Sequence, residues 1–129
     1  MLTKGLDNVP GTSGNDTIIG SIDSANAELN TLAVQDVING GAGKDTLQIA
    51  FNTAPVAPAT TTAIGLPNLS NVEVIEVQGT QNFTLDTSTT AGVTDLNVTK
   101  ATGSAGLTAA ATTAVNVSGA TGAITIAGG

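Results

Sequence analysis

Sliding the chain against itself by 29 positions places Asp7 on Asp36, Val9 on Ile38, Gly11 on Gly40, Gly14 on Gly43, Asp16 on Asp45, Thr17 on Thr46 and Ile18 on Leu47. Seven like-for-like matches in twelve columns exceed what composition explains, even in a chain with 16 glycines. Each copy, Gly11–Gly20 (GTSGNDTIIG) and Gly40–Gln48 (GGAGKDTLQ), leads from a glycine-rich loop through an aspartate into a strand-like run. The glycines allow the positive φ of a tight loop, and Thr17-Ile18-Ile19 is β-branched throughout. A repeat of this kind constrains the fold strongly, because each unit buries its apolar face only by stacking on the next.

Within each copy two aspartates stand nine residues apart, Asp7 to Asp16 and Asp36 to Asp45. That is the half-coil spacing of a parallel β-roll with about 18 residues per turn, whose units have the form GGxGxDxUx. The excess in the 29-residue offset reads as an insertion of roughly eleven residues at Ser21 to Leu32, within about residues 21–34. Its composition predicts a loop or one helical turn, with Asp23 and Glu28 as solvated acids.

A looser rhythm continues toward the C-terminal end. Ile75-Glu76-Val77, Leu96-Asn97-Val98 and Val115-Asn116-Val117 recur, each followed by a turn and a second apolar pair: Phe83 and Leu85, Leu107 and Ala109, Ile124 and Ile126. The expected fold is all-β, a parallel β-solenoid of about 20 residues per coil with loop insertions; an antiparallel sandwich would give similar alternation. Glu76, Asn97 and Asn116 then form an outward column. Three regions follow: calcium-loop coils over 1–51, a Pro/Thr/Ala-rich excursion over 52–68 holding three of the four prolines, and Thr/Ala-rich coils over 69–129. Val, Ile, Leu and Phe number 32, enough to fold. With 22 Thr and 19 Ala and no Trp, Tyr, Cys or His, the interior must be thin. The chain ends on Gly128-Gly129 straight after a strand-like run, and reads as a piece of a longer repetitive protein.

Ten acidic against three basic residues give a net charge of −7, with six acids in the first 45 residues. Three lysines cannot supply a phosphate-binding cluster, so nucleic acid is excluded as a partner. No signal peptide or membrane span is visible. The absence of His and Cys removes the ordinary nucleophile arrangements, and no aromatic is present to hold a sugar except two phenylalanines, so the chain does not read as an enzyme. Calcium takes about six to eight oxygens, from carbonyls and a few carboxylates. The two loops offer such a set: Asp16 and Asp45, with main-chain oxygens near Gly11, Ser13, Gly41 and Gly43. Asp7 and Asp36 would share the opposite edge as a second candidate pair. The alternative is that the aspartates only cap turns by accepting backbone amides.

GTSGNDTII and GGAGKDTLQ resemble the repeat-in-toxin (RTX) calcium-binding family. The continuation from Ser70 to Val77 and the Thr/Ala-rich coils resemble the repetitive body of bacterial surface-layer proteins of that type. The resemblance implies a secreted, extracellular cell-surface module that folds on meeting Ca²⁺ and self-associates in a lattice or adheres. Two rival roles are an accessory domain of a type I secreted enzyme and a module binding surface polysaccharide.

Overall fold

The computed structural model describes residues 1–23, 27–51, 61–80 and 82–128. β-branched and apolar residues at alternate positions make short strands, and each strand pairs in parallel with one from a later stretch of sequence. One sheet runs in the order β1 (Asn8–Pro10), β3 (Val37–Asn39), β6 (Asn68–Ser70). A second holds β2 (Thr17–Ile22), β4 (Thr46–Phe51), β7 (Val74–Gly79), β9 (Asp95–Ala101) and β11 (Ala114–Val117). The third holds β5 (Thr62–Ile64), β8 (Phe83–Asp86), β10 (Ala105–Ala109) and β12 (Ile124–Gly128). Every pairing between these strands is parallel, so the antiparallel alternative does not describe this chain. A 3-10 turn at Ala27–Leu29 occupies the expected insertion.

The register follows the repeat. Val9 lies against Ile38, and Thr17 and Ile18 lie against Thr46 and Leu47, so the 29-residue offset is the pairing offset. Leu47 is followed in the same row by Ile75, Leu96 and Val115. In the third sheet the rows differ from expectation by one inward position. Ala105 lies between Phe83 and Ile124, and Leu107 lies between Leu85 and Ile126, so Ala105 rather than Ala109 completes the second apolar pair. Ala105 and Ala109 flank Leu107 at the same alternating spacing and both are buried, so alternation alone does not choose between them; the pairing partners do.

The proline-rich excursion also ends earlier than 68. Thr62–Ile64 pairs with β8 and Asn68 opens β6, while residues 52–60 lie outside the described residues. Pro67 stands just before β6 and so takes no ladder hydrogen bond from it.

The core is a set of rows: Ile18, Leu47, Ile75 and Leu96, then Ile49, Val77 and Val98, facing Phe83, Leu85 and Leu107. Outward, Gln48 donates to Glu76 and Asn116 donates to Asn97, in the column expected from sequence. Phe51 and Phe83 meet edge to face with centroids 5.9 Å apart. Their packing requires Gly79, since a Cβ there would stand 2.6 Å from the Phe83 ring. Gly79→Ala is therefore expected to cost about 1–3 kcal/mol by overpacking, and less in a Phe83→Leu background. A double-mutant cycle from urea unfolding measures this; full additivity of the two changes would contradict it.

Candidate metal centre

Parallel pairing brings the two glycine loops into backbone contact. Gly11 N–H donates to Asn39 O at 2.6 Å, and a Cβ on Gly11 would sit 1.7 Å from Gly40 O. Gly41 (φ 99°) and Gly43 (φ 124°) hold the left-handed backbone that lets the second loop approach Thr12 O and Gly14 O. Ala42 N–H donates to Thr12 O, and Lys44 N–H donates to the Asn15 side chain. Ser13 lies on the exposed part of the first loop.

The four aspartates meet in the two expected pairs. Asp36 Oδ1 accepts Asp7 N–H at 3.0 Å and its Oδ2 accepts Ala33 N–H at 2.8 Å. Asp36 is fully buried, and both of its oxygens serve a turn. Asp7 accepts the N–H and hydroxyl of Thr3. This pair thus behaves as the turn-capping alternative describes.

The second pair differs. Asp45 is fully buried, and its Oδ1 accepts Asp16 N–H at 2.7 Å. Asp16 in turn accepts Thr12 N–H at 2.6 Å and the Thr12 hydroxyl. Asp45 Oδ2 has no hydrogen-bond partner among the described residues, although it is buried. An unpartnered buried carboxylate oxygen is costly unless an ion or water meets it. Asp45 is therefore the residue whose surroundings fit a cation. Among the described residues no three carboxylates gather closely enough to hold a metal by themselves, so main-chain oxygens must supply most of any shell.

Two residues of the site escaped the motif reading. Glu73 Oε2 accepts Asp45 N–H at 2.9 Å, repeating across the next strand pair what Asp45 does for Asp16. Asn71 adopts φ 50°, a left-handed turn in the place of the glycine loop. The signal was an acid one residue ahead of a strand, 28 positions after Asp45. Without glycines around it, Glu73 reads only as the start of Val74–Gly79.

Lys44 reaches past this turn to Asp95, with Nζ 2.9 Å from Oδ2. That hydrogen bond, then one from the Thr94 hydroxyl, holds the Asp95 carboxyl below the usual carboxylate range. The Ser88 hydroxyl and amide do the same for Asp86. No protein-family model, no curated protein and no solved structure matches the chain.

Two outcomes follow from these contacts. Asp36→Ala strands two half-buried amides and is expected to cost about 1–3 kcal/mol in urea unfolding, well above Asp7→Ala, whose carboxylate serves an exposed turn. Equal costs would refute the burial argument. The lowered Asp95 carboxyl favours the folded state above the unfolded carboxylate range, about pH 3.9, and the contribution is lost as pH falls through the folded value. Lys44→Gln should raise the Asp95 pKa in a carboxyl NMR titration; an unmoved titration would show that the ion pair does not form.

Proposed function

We propose that this chain is a structural module of a secreted bacterial cell-surface protein, a parallel β-solenoid of RTX-like type whose folding is stabilised by Ca²⁺. The observation that carries the reading is Asp45, a fully buried carboxylate at the second glycine-rich loop with one oxygen bonded to the first loop and the other without a partner. The matching 29-residue register of the two loops supports it, because a stacked repeat places like loops side by side. Asp45, with carbonyl oxygens of the neighbouring turns, is the residue that would hold the ion, and Asp16, the other aspartate of the sequence pair, meets its Oδ1 through the backbone amide. The chemistry it would supply there is electrostatic: a hard dication would offset the charge of the buried carboxylate and draw together oxygens from separate stretches of chain.

Calcium acting this way links folding to location. A ligand that binds only the folded chain adds about 2.7 kcal/mol at a hundred times its Kd, a large share of the roughly 5–15 kcal/mol that holds a domain together. Sites of extracellular grade, with Kd near 10⁻⁴ to 10⁻³ M, roughly the millimolar range, fill outside a cell and stay empty inside it. Assembly into a surface layer, through other copies of the parent protein, is the role that fits an elongated stack with polar outer columns.

The test is far-UV circular dichroism and thermal melting in millimolar calcium and in chelator. The parent should melt higher in calcium by on the order of ten degrees, and the Asp16→Ala/Asp45→Ala double variant should show no such difference. An unchanged parent spectrum and melting temperature would overturn the calcium reading.

A further inference from the structure

We propose that the cation is held between the second glycine loop and the turn at Asn71–Glu73, rather than between the two glycine loops; this rests on the calcium reading above. The two oxygens of Asp45 are placed differently. Oδ1 is occupied by the Asp16 amide at 2.7 Å, so the first loop meets Asp45 through a peptide N–H and not through its own carboxylate. The Asp16 carboxylate is meanwhile engaged by the amide and hydroxyl of Thr12. In neither arrangement does the unpartnered oxygen of Asp45 belong to the contact between the two aspartates.

Oδ2 borders another neighbour. A Cβ built on Gly40 would stand 2.5 Å from Asp45 Oδ2 and 1.9 Å from Asn71 O, so the carboxylate oxygen and the carbonyl oxygen both lie against Gly40 and are neighbours. Asn71 is the non-glycine residue with a positive φ among the described residues, and asparagine tolerates that conformation better than other side chains. The left-handed turn is what sets the direction of its carbonyl. A buried anionic oxygen without a partner and a carbonyl beside it form the start of a hard-cation shell.

The rest of the turn grips Asp45 from the same side. Glu73 Oε2 accepts Asp45 N–H at 2.9 Å, while Asp45 O accepts Glu73 N–H at 3.2 Å and Val74 N–H at 3.0 Å. Asn71 Nδ2 donates to Asn39 Oδ1 at 2.8 Å, and the same oxygen accepts Gly41 N–H, which fixes the loop and the turn to each other. Asp45 and the Asn71 carbonyl are then ligands, and Glu73 is a positioning residue that holds the Asp45 backbone.

Calcium titration calorimetry on the full chain, with melting curves in chelator as a fold control, separates the two placements. Asp16→Asn and Asn71→Gly should bind within about threefold of the parent, since the first keeps an acceptor for Thr12 and the second keeps the left-handed turn. Asp45→Asn should lose binding, and Glu73→Ala and Asn71→Val should weaken it by roughly tenfold or more, the usual effect of disturbing groups that orient ligands. If Asp16→Asn loses as much affinity as Asp45→Asn, the ion lies between the glycine loops and the proposal is overturned while the calcium reading stands. A parent chain that binds no calcium overturns both. Should Asn71→Val fail to fold, the contrast between Asp16→Asn and Asp45→Asn decides alone.

Discussion

The interaction on which the rest of the fold depends is a carboxylate that accepts the amide of the acid one repeat earlier. Asp36 does this for Asp7, Asp45 for Asp16, and Glu73 for Asp45. A parallel ladder satisfies amides inside the strands, but the chain must turn before each strand, and there the ladder supplies no partner. An acid placed just ahead of the strand reaches across to the neighbouring turn and supplies it. The strands that follow are thereby set in register: Thr17, Thr46 and Val74 begin directly after three of these acids and lie side by side. With register fixed at the entry, the alternate apolar residues of β2, β4 and β7 fall on one face and build the buried rows.

Much of this was legible in the sequence because the repeat is covalent information about pairing. The offset that aligns Asp16 with Asp45 is the offset at which Thr17 meets Thr46, and the rows through Leu47, Ile75, Leu96 and Val115 lie where alternation puts them. What stayed hidden involved residues with weak local signals. Ala105 contributes to the core only because Phe83 and Ile124 flank it. Thr62–Ile64 lies beside prolines and was taken for loop, yet Ile64 is buried and the strand is short enough to avoid them. Glu73 and Asn71 perform at the third turn what glycine and aspartate perform at the second, using different residue types, so no motif could link them.

The aspartates also show that one residue type in one pattern can serve two ends. Asp36 has both oxygens bonded to amides, whereas Asp45, nine positions on in the same unit, has one oxygen bonded and one without a partner. Sequence spacing does not separate them. The difference lies in what precedes each: the Ala33 amide donates to Asp36, while before Asp45 the amides of Gly41 and Ala42 go to Asn39 Oδ1 and Thr12 O.

The spacing of paired strands bears on how such a chain reaches its folded state. Neighbours in the long sheet are 28 or 29 residues apart near the start and 19 to 22 further on. Closing the longer of these loops costs only about 0.4 kcal/mol more than closing the shorter, because the entropy grows with the logarithm of length. Each strand joins an edge laid down shortly before it, so the search it must make does not lengthen as the ladder grows. Order can spread along the chain one strand at a time, at a nearly constant entropic cost per step.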